Sequence, residues 1–358
     1  MKVRTDLTVT GRPLRPRSGV PQPAMRMDFV NGSYHPGGFG GTLLSARTST
    51  ARHFDATGSM VQVANDVPRL DFDPQTRKPR GLLIEGARTN LLVQSATSAG
   101  WGVLNAAMAA SAVAAPIAGQ TMSALTEDGS NGVHQSVRSV VLAAGSHAFS
   151  AFFRADARTR VALVLTGSTL GTLTALVDLS AGTVSISVGV GAAQIVDCGA
   201  GLYRVILIFT MATSEEIVLS VRLRDATGAD SYVGNGSGGV LMWGAQLEAG
   251  DCATSYIPTA AAAVTRAADS VQALLGSWWG GATWGGLLAE FICPPPLRNW
   301  RPLRGSTPPN PITPSAFARR TGPMPARAPC FTPRCWMVAA MRGQRTALAC
   351  RRAPTVPR

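Results

Sequence analysis

The sequence has few of the residues on which most hydrolytic and metal-dependent enzymes rely. It contains only four histidines, and none forms a pair with a cysteine or a carboxylate at the spacing of a known zinc site. The motifs G-x-x-x-x-G-K-[ST], H-E-x-x-H and G-x-S-x-G do not occur. The sequence therefore argues against a P-loop nucleotidase, a zinc protease or a serine hydrolase of the familiar types, and it yields no catalytic residue.

Charged residues are also scarce, at 15%, and they are unevenly distributed. Residues 294–358 hold 12 arginines, 14 of the 24 prolines and no acidic residue, and residues 1–25 hold five basic residues against Asp6 alone. The remaining residues, 26–293, carry a net charge of −3, although the whole chain carries +13. Affinity for nucleic acid needs a concentrated cationic surface, so we expect no nucleic-acid partner for residues 26–293.

The two ends of the chain are predicted to lie outside its folded part. Residues 1–25 are interpreted as disordered, or as the result of a start codon placed too early, with Met25 or Met27 as the true start. Residues 294–358 are interpreted as a disordered Pro/Arg-rich tail, because proline removes backbone donors and unpaired arginines repel one another. The abrupt change at Pro294 is also typical of a frameshift in a GC-rich gene.

Long apolar segments are missing as well. Residues 101–119 are uncharged, but they are rich in alanine and poor in the large apolar residues that membrane helices need. The N-terminus lacks the apolar run of a secretory signal. The six cysteines are scattered without paired spacing, which argues against a disulfide framework and a zinc site. We therefore expect no membrane partner and no secretion.

Alternation of apolar and polar residues with a period of two is the dominant pattern. In residues 217–224 every second residue is aliphatic, and Arg222 and Arg224 lie between these positions. Similar strand-like segments occur at 133–141, 148–154, 160–166, 172–178, 183–188, 203–210 and 240–248. Short strands at this spacing, with no helical periodicity between them, predict an all-β fold, a jelly-roll β-sandwich over about residues 95–260.

Six sequence blocks in a fixed order resemble one family. They are ARTSTA with FDATG (46–51 and 54–58), PRLDFDP (68–74), GLLIEGARTNLL (81–92), WGAQLEAG (243–250), TSYIPT (254–259) and TRAAD (265–269). Over residues 28–291 the chain resembles tailed-bacteriophage and prophage virion proteins of the head-spike or tail-fibre type. The central unit of these proteins resembles the jelly roll of a carbohydrate-binding module.

The resemblance implies a non-enzymatic structural protein of the phage particle, present in the cytoplasm during assembly. It implies other virion proteins as partners, a homo-oligomeric state and contact with host surface glycans. It also implies a domain order. An irregular N-terminal segment, 26–94, wraps onto the jelly roll at 95–260, and residues 261–293 form a linker and the truncated start of a second β domain.

Two other functions remain open at the level of the sequence. The first is a tail-spike polysaccharide hydrolase or lyase, for which a pair of opposed carboxylates is required. Candidate carboxylates are Glu127, Asp128, Glu215, Glu216 and Glu248, and sequence alone does not place any two of them across a cleft. The second is a bacterial lectin-like adhesin, which the missing secretion signal disfavours.

The candidate glycan-binding residues follow from the chemistry of sugars, which offer C–H faces to aromatic rings and hydroxyls to planar polar groups. The Gly-rich segment 225–239 carries Tyr232 and Asn235, and Arg222 and Arg224 precede it in a strand. Trp243 is the candidate indole, although a tryptophan in a strand is also typical of a core. No cofactor is expected. The resemblance implies a structural calcium, for which Glu248 is a single candidate ligand, because the opening strand lacks its acidic residue.

We predict that removing residues 294–358 leaves the sandwich folded, because this tail has no acidic residue and little apolar periodicity. Thermal melts of the full chain and of a chain ending at residue 293 should agree within about 2–4 °C, the shift that 1 kcal/mol produces in a domain of this size. A larger loss of Tm on truncation would mean that the tail packs against the sandwich.

Overall fold

The computed structural model describes residues 26–35, 43–97 and 99–273, together with the backbone of three further strands. Every regular element in these residues is a β-strand, so the prediction of an all-β protein is confirmed. The strands of the N-terminal segment are β1 (Arg26–Asp28), β2 (Ser33–His35), β3 (Leu43–Ala46), β4 (Ala51–Phe54), β5 (Met60–Val63), β6 (Arg69–Phe72), β7 (Pro79–Leu83) and β8 (Arg88–Asn90).

The strands of the sandwich follow. They are β9 (Gly102–Leu104), β10 (Ala106–Ala114), β11 (Thr121–Glu127), β12 (Asn131–Gly132), β13 (Gln135–Leu142), β14 (Gly145–Ala155), β15 (Arg160–Gly167), β16 (Gly171–Asp178), β17 (Thr183–Val188), β18 (Ala192–Asp197), β19 (Leu202–Met211), β20 (Glu215–Arg224), β21 (Tyr232–Val233) and β22 (Gly239–Ala249). The last strands are β23 (Val264–Arg266), β24 (Ser270–Ala273), β25 (Trp284–Ile292), β26 (Arg334–Arg342) and β27 (Arg345–Arg352). In the part of the chain that is described, no helix is long and apolar enough to span a membrane.

Two six-stranded antiparallel sheets form the sandwich. The first sheet has the order β10-β11-β22-β14-β19-β18 and the second the order β17-β16-β15-β20-β13-β9. At one pair of sheet edges the chain passes from β9 to β10 through Asn105. At the other pair it passes from β17 to β18 through residues 189–191. Gly189 has a φ of 79°, and a Cβ there would lie 2.4 Å from the Thr172 carbonyl oxygen, so only glycine fits this crossing. The predicted jelly-roll sandwich is confirmed.

The core between the sheets is built from alternate residues of each strand. In β20, Ile217, Leu219, Val221 and Leu223 have no exposed surface, whereas Val218, on the other face, is 36% exposed. The first sheet contributes the buried phenylalanines Phe149, Phe153 and Phe209 to the same core. The period-two pattern of the sequence therefore predicts the core-facing residues of this strand correctly.

The N-terminal segment covers the outer face of the first sheet. Residues from both sides of this junction form a second apolar cluster: Met60, Ile117, Met122, Phe152, Cys198, Leu241, Trp243 and Tyr256. Within the segment, β4 pairs with β5 and β6 pairs with β7. We refer to residues 43–97 as the wrapping segment.

Residues that follow the sandwich complete the wrapping segment. β23 pairs with β8, and β24 pairs with β3, so that Ser270 lies opposite Ala46. The sequence predicts a linker to a second domain at these residues. The structure instead pairs them with strands about 175–225 positions earlier. A strand of three or four residues carries no local signal for a partner so distant in sequence, which explains the difference.

A buried network of charged side chains holds the wrapping segment in place. Arg69, which has no exposed surface, donates to Glu85 Oε2 at 2.8 Å and also to Asp269 Oδ2. Arg47 donates to Asp269 Oδ1 at 2.9 Å and to the carbonyl oxygens of residues 64 and 67. Burial alone would raise the pKa of Glu85, but the guanidinium groups of Arg69 and Arg266 hold this pKa well below its usual value.

The described backbone of the C-terminal region forms a three-stranded antiparallel sheet of β25, β26 and β27. Residues 334–352 contain no proline, so every backbone N–H in these two strands is available for pairing. This pairing departs from the disorder that the composition of the tail predicts. The rest of the tail, like residues 1–25, lies outside the described residues, and the interpretations of these parts stay predictions.

We predict that Arg69→Met destabilises the protein by about 3–5 kcal/mol, because it leaves the carboxylates of Glu85 and Asp269 buried without their main partner. Denaturant unfolding of the full chain measures this loss. The matched control is Arg154→Met, which removes an exposed arginine and should change stability by no more than about 0.5 kcal/mol. Equal stability of the two variants would contradict a structural role for the network.

Candidate functional site

Three loops meet at one end of the sandwich, at residues 128–134, 155–159 and 225–239. They are tied together by the pairing of β12 with β21 and by a hydrogen bond from the Arg158 N–H to the Gly239 carbonyl oxygen at 2.8 Å. Predicted residues Tyr232 and Asn235 lie in these loops. We refer to this region as the loop end.

A single carboxylate, Glu127, organises the loop end. Its side chain has no exposed surface, and it accepts two hydrogen bonds from Arg158, at 2.9 Å from Nε and 2.6 Å from NH2. The Tyr232 hydroxyl donates to the same carboxylate at 2.7 Å, and the Asn235 backbone N–H donates at 2.9 Å. Burial would raise the pKa of Glu127, but these hydrogen bonds lower it to about 2, so the group is ionised at neutral pH.

The ring of Tyr232 is packed rather than free. The Arg158 guanidinium lies over the ring at 5.1 Å, and the His134 ring lies 4.7 Å away. Burial, followed by the hydrogen bond to Glu127, raises the pKa of the Tyr232 hydroxyl. Tyr232 is thus a support for the loop end, and the prediction that its face stacks on a sugar is not met by this geometry.

Asn235 is exposed and shapes its own loop. Its Oδ1 accepts hydrogen bonds from the Ser237 N–H at 2.9 Å and the Gly238 N–H at 2.7 Å, and its Nδ2 is the group left for a ligand. The loop also has the spacing G-x-G-x-x-G at residues 234, 236 and 239. It leads into strand β22 rather than into a helix, so the context of a dinucleotide site is missing.

Arg222 and Arg224 lie on the outer face of the second sheet, next to the loop end. Both pair with Asp230: Arg222 NH1 donates at 2.9 Å, and Arg224 NH2 lies 3.1 Å from Oδ1. Arg222 also donates from Nε to the Gln135 amide oxygen at 3.0 Å. Their side chains keep 24% and 14% of their surface exposed, and Arg224 NH1 also donates to the Gly228 carbonyl oxygen at 3.3 Å.

Trp243 does not belong to this site. It is 2% exposed, packs against Tyr256 and Phe152 beneath the wrapping segment, and donates from Nε1 to Gln120 Oε1 at 3.1 Å. The assignment of Trp243 as a glycan-binding indole is therefore wrong. Its strand lies in the first sheet, whose outer face is buried, and the sequence gives no sign that this face is covered.

Glu248 does not fit the ligand set of a calcium ion. The residue is fully buried, and both its carboxylate oxygens accept hydrogen bonds from Thr254, one from the N–H at 2.9 Å and one from the hydroxyl. Burial raises its pKa, which favours the protonated form. Within the described ranges, no group of three or more His, Cys, Asp or Glu side chains is placed to hold a metal ion.

Four of the candidate carboxylates of a hydrolase lie at opposite ends of the sandwich, two at each end. Glu215 and Glu216 begin β20, whereas Glu127 and Asp128 lie beside the end of that strand, and ten residues of strand span roughly 30 Å. A glycosidase pair is separated by about 5–10 Å. Hydrogen bonds from Ser130 lower the pKa of Asp128, and the pKa of Glu127 is also lowered, so neither resembles a general acid.

Sequence reasoning missed three residues that build the loop end: Glu127 as its centre, Arg158 and His134. His134 is fully buried, and its ring nitrogens lie 2.6 Å from the Asn105 carbonyl oxygen and 3.2 Å from that of Tyr232. Glu127 follows the apolar residues of β11 on the core-facing side, and an acidic residue in such a pattern is a signal for a buried ion pair. Its partner Arg158, 31 positions later, carries no comparable signal.

Comparisons with known proteins give little further information. No protein-family model matches the chain, and no curated protein matches it. One similar solved structure is described as CBM35 from Cellvibrio japonicus Abf62. It is 12% identical, the alignment covers 47% of this chain and 100% of that one, and the TM-score is 0.23. A likeness at this level carries no argument about function.

We predict that Glu127 contributes stability that is lost in acid. Its folded pKa, about 2, lies below the usual value of 4.5, so its contribution is present above pH 4.5 and disappears as the pH falls toward 2. In Glu127→Gln, the stability deficit relative to wild type should be large at pH 7 and should shrink between pH 4.5 and 2. Urea unfolding at each pH measures it.

The control for this experiment is Glu216→Gln, which changes an exposed carboxylate at the opposite end of the second sheet. Its unfolding curve should follow that of the wild type at every pH. A deficit of Glu127→Gln that stays constant from pH 7 to pH 2 would show that the Glu127 carboxylate is not the stabilising ion.

Proposed function

We propose that this chain is a non-enzymatic structural protein of a bacteriophage or prophage particle, of the head-spike or tail-fibre type. Its β-sandwich would be displayed on the particle and would bind host surface glycans weakly through the loop end. The protein would assemble in the cytoplasm with other virion proteins and as a homo-oligomer.

One observation carries the proposal: the family-like sequence blocks converge in space. Arg47, Arg69, Glu85, Arg266 and Asp269 come from four different blocks and form one buried network. Ser255, from a fifth block, donates to Glu85 from its N–H at 2.9 Å and its hydroxyl at 2.6 Å. Residues from five of the blocks therefore meet in one place, where the wrapping segment packs on the sandwich. This supports the interpretation of the blocks as one family pattern.

A binding role agrees with how the protein uses its ionisable groups. The carboxylate of Glu215 accepts hydrogen bonds from the Thr169 N–H and the Leu170 N–H, both at 2.8 Å, and so holds a loop. The carboxylates of Glu127 and Glu85 are likewise paired with arginine side chains. Carboxylates that are ionised and fully hydrogen-bonded hold the backbone in position. They are poor proton donors to a substrate.

The glycan contacts would come from planar polar groups rather than from aromatic rings. Asn235 is exposed, and the side chains of Arg222 and Arg224 are partly exposed in the strand that leads into its loop. Guanidinium and amide groups match pairs of sugar hydroxyls in geometry. Because Arg158 lies over the Tyr232 ring, we expect a weak site, with a Kd of about millimolar to micromolar, strengthened by multivalent display.

The glycan site is tested with the double variant Arg222→Ala and Asn235→Ala in the full chain, displayed in oligomeric form on an array of bacterial polysaccharides. Wild type should bind at least one polysaccharide, and the double variant should lose about tenfold or more in apparent affinity, since each contact contributes about 1 kcal/mol. The matched control is Glu216→Ala, an exposed change on the same sheet at the other end.

Absence of binding to every polysaccharide, or equal binding by the double variant, would remove the glycan site. The virion assignment has its own test, which is mass spectrometry of purified phage particles from a strain that carries the gene. Peptides from residues 43–273 should be present in the particles. Their absence from particles, with the protein abundant in the cell, would contradict a virion role.

A further inference from the structure

A small cavity lies between the wrapping segment and the chain that follows the sandwich, on the side of the molecule away from Arg222. Its volume is about 120 Å³. One wall is formed by residues 49–52 and Gln62, and the other by residues 256–258 and 264–266. Tyr256 and Arg266 are buried at its base, while Thr50 and Thr265 are exposed at its rim. The cavity therefore combines a largely apolar wall with a few polar groups, and it opens to solvent at this rim.

Arg52 brings a positive charge without a counter-ion to this cavity. Its NH2 donates to the Gln62 amide oxygen at 3.0 Å, and its Nε is buried and has no hydrogen-bond partner. No ion pair to Arg52 occurs among the residues that the structure describes, although most other buried or half-buried arginines have a carboxylate within 4.0 Å. A half-buried guanidinium in this state is an unsatisfied donor.

Arg266 adds a second charge that is only partly neutralised. Its NH2 lies 3.5 Å from Glu85 Oε2 and its NH1 lies 3.9 Å from Asp269 Oδ2, while Arg69 and Arg47 hold the same carboxylates at 2.9 Å or less. Its NH1 donates to the Ala267 carbonyl oxygen at 3.1 Å and its NH2 to the Gly86 carbonyl oxygen at 2.8 Å, so only the buried Nε of Arg266 lacks a partner. Three buried arginines thus share two carboxylates, which leaves an excess of positive charge beside the cavity.

We propose that this cavity is a binding site for a small oxyanion, held between the guanidinium groups of Arg52 and Arg266. The amide of Gln62 and the hydroxyls of Thr50 and Thr265 would complete its hydrogen bonds. Guanidinium groups bind carboxylate and phosphate through paired, charge-assisted hydrogen bonds. The anion would satisfy the donors that the protein leaves open and would neutralise the excess charge of the network.

The size of the cavity limits what enters. A volume of 120 Å³ corresponds to about four water molecules at roughly 30 Å³ each. A carboxylate or a phosphate group fits this space. The ligand is therefore either a free inorganic anion or the carboxylate of a sugar acid whose ring remains at the rim, beside Thr50 and Thr265.

Isothermal titration calorimetry of the full chain tests the site with three probes at constant ionic strength: inorganic phosphate, glucuronate and uncharged glucose. Phosphate, glucuronate or both should bind, and glucose should not. Arg52→Gln should weaken anion binding at least tenfold, and Arg52→Lys, which keeps the charge, should retain part of it. Arg154→Gln, an exposed arginine that does not line the cavity, should bind as the wild type does.

Tighter binding of glucuronate would identify an acidic saccharide as the source of the anion, and tighter binding of phosphate would identify the free ion. No binding of either anion, or equal binding by wild type and Arg52→Gln, would overturn the proposal. Unfolding curves without ligand verify that Arg52→Gln is folded. Because the cavity shares no residue with the loop end, failure here leaves the proposed glycan site and virion role untouched, and the reverse holds as well.

Discussion

The burial of Arg69 between Glu85 and Asp269 is the interaction on which the outer half of this protein depends. The three residues come from parts of the chain separated by 16 and 200 positions, so their contact joins the wrapping segment to the chain that follows the sandwich. Removing these charges from water is costly, and the cost is offset only when every partner is present. The free-energy cost of an unpaired buried charge therefore favours the one arrangement of the wrapping segment in which every partner is present. Beneath it, Phe152, Trp243 and Tyr256 are buried, and without this cover the first sheet would expose a large apolar face.

In this arrangement the outer faces of the two sheets differ. The outer face of the first sheet is covered by the wrapping segment, whereas that of the second sheet carries the partly exposed Arg222 and Arg224. The loop end is rigid because Glu127 accepts four hydrogen bonds from three different residues. Surface polar groups on a rigid support are suited to weak, repeated binding. The general acid of a glycosidase would instead need a carboxylate with a raised pKa in an accessible cleft.

The same excess of arginine that stabilises the wrapping segment also generates the anion site. Arg266, a member of the network, and Arg52, which lies outside it, each keep an Nε without a partner, and both residues border the cavity. Stability and binding are thus linked through one set of residues. An anion that binds only the folded protein would stabilise it in proportion to the logarithm of its concentration.

The sequence by itself determined the all-β class, eight of the twelve strands in the two sheets and the core-facing residues of strands such as β20, because a period of two places alternate side chains on one face. It also identified the blocks that build the buried network, but not their contacts. Only the tertiary structure decided that Trp243 is covered, that the ring of Tyr232 is occupied by Arg158, and that residues 264–273 close the wrapping segment. Each of these depends on pairing between residues far apart in sequence. A local pattern records which face of a strand is apolar, but it does not record which distant segment packs against that face.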